Sequence, residues 1–212
     1  MSAPLVVTIG REIGSGGAYI GQQIATRLGI LCLDREILQQ VARQRGVPEE
    51  LLTPREEAVT PVWRSVMETF SSWSVPESGF TLPPLDIPSD EDLFALQSAI
   101  ITRVAREQSA VVIGRCGSWV LRHHPRHVSV FCHASTAFRL ARLQAQYNDS
   151  PAEAAKLIEA SDRARAHYRK AMTGVDATDA RQYDLCVNTG LLGVEGSAEL
   201  ILEYVQRRMS AR

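Results

Sequence analysis

The stretch TIGREIGSGGAYIG, residues 8–21, carries the glycines of a phosphate-binding loop near the start of the chain. Gly14, Gly16 and Gly17 allow backbone conformations closed to residues with side chains. Successive N–H groups there can converge on a phosphate at the positive end of the next helix. Ser15 adds a hydroxyl. Against the pattern G-x-x-x-x-G-K-[ST], however, Gly17 stands where the lysine belongs and Ala18 where the metal-binding hydroxyl belongs. Two other readings stay open. One is a dinucleotide loop, although G-x-G-x-x-G fits poorly, with Tyr19 following Gly14 and Gly16; the other is a merely structural turn.

Other residues suited to phosphate chemistry follow apolar runs. Asp34-Arg35 follows ILCL at 30–33, and Gly114-Arg115 follows AVVI at 110–113. The planar fork of arginine suits phosphate oxygens. An aspartate in Asp34's place can hold Mg²⁺ through water or accept a proton from an attacking group. Further along, Arg139 and Arg142 precede SPAEAAKLIEASDRARAHYRKAM. Within that segment Asp162, Arg165 and Arg169 share one helical stripe, and Arg163 and Lys170 share another. A solvated, salt-bridged helix accounts for such a pattern. So does a lid whose arginines close over ATP, which the position after a strand and its helix favours.

These residues need elements that bring them to one edge. Short apolar runs at 5–9, 30–33, 110–113, 128–131 and 183–187 read as buried strands. Helical patterns follow the glycine loop as far as Gly29, run from Arg35 to about 45, and occupy 90–107, 135–147, 151–172 and 194–209. Ser150 and Glu153 form a capping box, with Pro151 in the first turn. Strands alternating with helices predict an α/β fold: a five-stranded parallel sheet with helices on both faces. Ligands bind such sheets beyond the carboxyl ends of the strands. Residues 46–90 break the alternation and hold seven of the ten prolines. Inside that stretch, residues 60–73 read as a helix with Trp63, Val66, Met67 and Phe70 on one face. That face suits packing on the main domain, covering a substrate, or a homodimer contact.

With 212 residues, 45% of them hydrophobic, the chain suits one globular domain of roughly 100–200 residues with an insertion. A net charge of −1 offers no basic field for a nucleic acid polymer or an anionic membrane. No apolar run approaches the ~20 residues of a membrane span, and the N-terminus lacks the basic region of a signal peptide. Cys32, Cys116, Cys132 and Cys186 are too scattered for a zinc motif or a disulfide framework, which leaves buried thiols in a cytoplasmic protein.

Taken in order, TIGREIGSGGAYIG, LDREIL, VVIGRCGSWVL, SDRARAHYRK and QYDLCVNTG resemble the cytidylate kinase-like family, relatives of the P-loop nucleoside monophosphate kinases. The resemblance runs from residue 6 to about 208. It implies one P-loop kinase domain over 1–212: a core (1–45, 91–147, 181–212), a monophosphate-binding insert (46–90) and a lid (148–180). It further implies ATP and Mg²⁺ as cofactors and small-molecule nucleotides as partners. Gly14, Ser15, Gly16, Gly17 and Ala18 would lie along the ATP phosphates with Arg11, Arg139 and Arg142 nearby. Arg115, with Arg35, would grip the acceptor phosphate, and Asp34 and Arg35 match the family's D-R/K-E turn beside the transferred group. Arg163, Arg165 and Arg169 would be lid arginines, and Tyr183 through Thr189 would run near the adenine side. The family's REFGSGG loop also lacks the lysine, so Gly17 is a trait of the family.

The expected activity is transfer of the γ-phosphoryl group of ATP to a CMP- or dCMP-like monophosphate or another small acceptor. A nucleotide-binding regulator of the same fold is the alternative. In place of the lysine, the expectation is division of labour. Arg11 mostly shapes the loop or touches phosphate in the open state, while Arg165 or Arg169, steadied by Asp162, carries the charge in the transition state.

Overall fold

A computed structural model describes residues 3–34 and 90–210. Arg35 and the predicted insert with its 60–73 helix, including the proposed homodimer face, lie outside the described residues.

Strands β1 (Val6–Arg11), β2 (Leu31–Leu33), β3 (Ala110–Ile113), β4 (His127–His133) and β5 (Leu185–Asn188) form one sheet in the order β2-β3-β1-β4-β5. Every pairing is parallel, with Val6 facing Ala110 on one side and His127 on the other. Helices α1 (Gly17–Leu28), α2 (Asp90–Glu107), α3 (Gly117–Val120), α4 (Thr136–Tyr147), α5 (Pro151–Thr173) and α6 (Thr189–Ser210), with a 3₁₀ turn at Ala180–Gln182, complete the described elements. The predicted five-stranded α/β sheet is therefore the observed one. Predicted β5 starts two residues early: the strand begins at Leu185, and Asp184 is held to Ser129 of β4 by its backbone N–H and by its carboxylate, which accepts from the N–H and hydroxyl of Ser129. Helix α6 is broken at Gly193 (φ 70°, ψ 170°), so the regular helix begins at Val194, as its apolar spacing predicts.

The strand residues alternate between two cores. Val7 and Ile9 face α1 and α6, joining Ile20, Ile24, Val194 and Ile201. Val6 faces the other way, with Leu33, Val112, Ile101 of α2 and Leu121. Both faces are covered, which is why the central strands read as unbroken apolar runs. Burying each such side chain stabilises the fold by roughly 1.5–3 kcal/mol. A third, smaller core joins α4 and α5 through Leu143, Ala154 and Ile158, and into it projects Ile13 from the glycine-rich loop. Helix α5 begins with the expected capping box: Ser150 accepts from the Glu153 N–H, and Glu153 accepts from that of Ser150. All four cysteines are free thiols. Three are at least partly buried, but Cys186 is exposed because β5 is an edge strand.

Candidate active site

The loop between β1 and α1 takes its shape from two left-handed glycines, Gly14 (φ 76°) and Gly16 (φ 82°). Space as well as backbone demands them. A Cβ on Gly14 would lie 2.9 Å from the carbonyl oxygen of Arg139, and one on Gly16 would lie 2.9 Å from Cγ2 of Val194 and 3.5 Å from Cζ of Arg142. Gly16 caps α1 without a side chain, so the first-turn N–H groups are left for an anion at the positive helix end. Ala18 sits in that turn against the core.

The expected hydroxyl ligand, Ser15, is turned inward. Its side chain is buried, its hydroxyl donates to the Glu12 carbonyl at 2.8 Å, and its own carbonyl accepts from Thr189 Oγ1 at 2.7 Å. Ser15 thus stiffens the loop, and Thr189 ties it to the exit of β5. Arg139, expected along the phosphates, is also spent on the loop. It is 7% exposed, ion-paired with Asp162, 3.6 Å from the Glu12 carboxylate, and donates to the Ile13 carbonyl. Asp162 does not steady Arg165 or Arg169, because its two oxygens are taken by Arg139 and by the Ile13 N–H.

Glu12 and Ile13 were not singled out by sequence, although an apolar residue among glycines was the available signal. Ile13 anchors the loop under α4 and α5, and Glu12 accepts from the Ala134 N–H at the end of β4.

Beside this loop, the carboxyl end of β3 bears three consecutive left-handed residues: Gly114 (φ 74°), Arg115 (φ 53°) and Cys116 (φ 55°). Two of them carry side chains, for which this backbone costs about 1–2 kcal/mol each. Arg169 of α5 reaches the same turn: it is 7% exposed, donates to Ser118 Oγ at 2.9 Å, and sits 5.3 Å over the ring of Tyr183. The Cys116 thiol is pushed up by burial and pulled back by Arg169 and then Arg115, so both guanidinium charges act on one spot. Tyr168, next along α5, is pushed up to about 12 chiefly by burial, and its hydroxyl has no hydrogen-bond partner. Tyr183 packs on Phe131 at 5.0 Å, under Arg169. Ser118 went unnoticed in the sequence; one turn after Arg115, it had only its place to mark it.

The other arginines divide by helical phase. Arg163 faces solvent, paired with exposed Glu159. Arg165 reaches the loop, where Nη1 lies 3.5 Å from the Arg11 carbonyl oxygen. Arg142 stands over Gly16, with its Nε buried and without a partner. Arg11 runs from the end of β1 past Gly17 to Gly114. Asp34 follows β2, which β3 separates from β1, or roughly 10 Å across the sheet. Among the described residues there is no cluster of three His, Cys, Asp or Glu that could hold a metal, and no helix is long and apolar enough to cross a membrane.

Residues 6–191 match the family model described as cytidylate kinase-like. No curated protein matches the chain. Among solved structures, an uncharacterized protein from Eubacterium ventriosum ATCC 27560 superposes with a TM-score of 0.71 at 20% identity, over 95% of this chain and 98% of that one. A gluconokinase from Sinorhizobium meliloti 1021 gives 0.53 at 16%, over 99% and 98%. A shikimate kinase from Bacteroides thetaiotaomicron gives 0.51 at 13%, over 95% and 98%. The fold they share with this chain is that of the P-loop kinases.

Proposed function

This chain belongs to the cytidylate kinase-like family, and we propose that it transfers the γ-phosphoryl group of ATP to a small acceptor that itself carries a phosphate, with CMP or dCMP as the first candidates. One observation carries this reading: the strained Gly114–Cys116 turn leaves β3, the strand next to β1 and its glycine loop, and carries Arg115, while Arg169 of α5 meets Ser118 just after that turn. Strain of this kind persists where a site demands it. Two arginines at a turn next to the glycine loop's strand fit one phosphate beyond the donor's own.

The ATP phosphates would rest on the first-turn N–H groups of α1, with Arg142 over Gly16. Mg²⁺ would be held by the nucleotide's phosphates and, through water, by Asp34; with Ala18 lacking a hydroxyl and Ser15 turned inward, the loop offers it no side chain. When bound, the ion supplies charge neutralisation on the phosphates. An oxygen of the acceptor phosphate would attack the γ-phosphorus as the bond to the β–γ bridging oxygen breaks, releasing ADP. Such transfer needs positioning and positive charge more than covalent chemistry. Helix α5 would act as the cover, since opening it would release the hold of Asp162 on Ile13.

The test is ADP release with CMP, dCMP, UMP, AMP, shikimate and gluconate as acceptors. Turnover with a monophosphate supports the proposal. Turnover confined to shikimate or gluconate refutes the phosphate-bearing acceptor. ATP binding without turnover on any of them favours a regulator.

A further inference from the structure

We propose that Arg11 replaces the missing loop lysine, carrying the cationic charge to the transferred phosphoryl group through the space that Gly17 leaves open. The inference rests on the reading of the loop as an ATP site. When Gly16-Gly17-Ala18 is laid on G-K-[ST], the first glycine of G-x-x-x-x-G-K-[ST] falls at Arg11. The chain therefore departs from the pattern twice, with a cation in place of the first glycine and a glycine in place of the lysine.

The two departures meet in space. A Cβ on Gly17 would lie 2.8 Å from Cβ of Arg11 and 3.1 Å from its Cδ. Gly17 is not among the positive-φ glycines, so its backbone does not require glycine. What requires it is first the stem of Arg11, with Cβ of Cys132 at 3.3 Å beside it. A side chain at 17 and an arginine at 11 exclude each other, and this chain keeps the arginine.

The far end of Arg11 is equally placed. A Cβ on Gly114 would lie 2.7 Å from its Nη1. The guanidinium thus extends from the phosphate loop to the turn that begins with Gly114 and carries Arg115. A phosphoryl group passing from donor to acceptor must cross that interval. The charge of Arg11 is felt on either side of β1 and β3, where it pulls down the raised pKa values of Cys32 and Cys132. Arginine is permanently charged and offers a fork of donors, so it fits the lysine's task in this place. Arg169 is held away from it by Ser118 and Tyr183, and Arg165 meets the backbone of Arg11.

The experiment compares Arg11→Ala, Gly17→Lys and the double variant Arg11→Gly/Gly17→Lys with the unaltered protein. Affinities for ATP and AMP are measured by calorimetry, and phosphoryl transfer is followed in a single turnover. Arg11→Ala should weaken ATP about 10- to 100-fold with AMP little changed. Gly17→Lys alone should lower the ligand-free melting temperature, because the new stem strikes Arg11. The double variant, which restores the standard pattern, should regain much of the preference for ATP over AMP and of the transfer rate; a residue that only fills space would allow no such rescue. An Arg11→Ala protein with the unaltered ATP-to-AMP ratio and transfer rate overturns this inference alone, whatever the folding of the other variants. An unaltered protein that fails to bind ATP overturns the kinase reading and this inference together.

Discussion

Asp162 in the middle of α5 and Arg139 in the first turn of α4 are ion-paired, and through them the glycine-rich loop is joined to both helices. The other oxygen of Asp162 takes the Ile13 N–H, and Arg139 also meets Glu12. The pair therefore sets the loop's shape. Asp162→Ala would leave Arg139 buried with only Glu12 opposite. Because the Asp162 side chain is 28% exposed, water recovers part of the loss, and the cost should be about 2–3 kcal/mol. Urea unfolding measures it. Asp162→Asn, which can keep the Ile13 hydrogen bond, should fall between the two. An unchanged midpoint for both variants would show that the loop keeps its shape without the pair.

Arg115→Ala and Arg169→Lys should separate acceptor from donor. Alanine at 115 has no charged fork to offer a phosphate, so Arg115→Ala should lower acceptor kcat/KM about 30- to 1000-fold, with little effect on the KM for ATP. Arg169→Lys keeps a charge but gives up the Ser118 bond and the stacking on Tyr183, and it should raise acceptor KM more modestly. Steady-state kinetics with each substrate varied in turn decides the matter. A fall confined to ATP would place both arginines on the donor side.

Gly16→Val puts a β-branched side chain at φ 82° and its Cβ 2.9 Å from Val194. The loop must then shift, and with it the first-turn N–H groups of α1. The expected outcome is a lower melting temperature without ligand and no further rise on adding ATP. A variant that still gains stability from ATP as the unaltered protein does would refute the role of those N–H groups.

Stability should fall in mild acid because of His127. Its pKa is lowered to about 4, first by burial, with Asp184 pulling it up and His124 down, and its Nε2 lies 2.8 Å from Thr8 Oγ1. The unfolded chain takes up a proton near pH 6.5 and the folded one only near 4. Stability is therefore full above pH 6.5 and is lost as pH falls through that window, by roughly 2–4 kcal/mol for this group. Unfolding of His127→Gln at about pH 7 and about pH 4.5 should show a smaller drop between the two than the unaltered protein. An equal drop would assign the acid sensitivity to other groups.

By itself the sequence determined the sheet, the long helices among the described residues and the sheet edge that carries the motifs. Those follow from local rules: unbroken apolar runs demand strands covered on both faces, a capping box starts α5, and glycines mark where the backbone must turn left-handed. The motif residues at the ends of β1 and β3 were legible because a parallel sheet places all such ends together. Side-chain partnership was another matter. Asp162, Arg165 and Arg169 share a stripe, but which of them meets Ile13, Arg11 or Ser118 depends on how α5 crosses the loop. Ser15 and Arg139 have the right chemistry for phosphate, but Ser15 is turned inward onto the Glu12 carbonyl and tied to Thr189 at the start of α6, and Arg139 is turned inward onto Asp162 of α5. The meaning of Gly17 was likewise decided in three dimensions, because only the folded chain lays the stem of Arg11 where a lysine would have to begin.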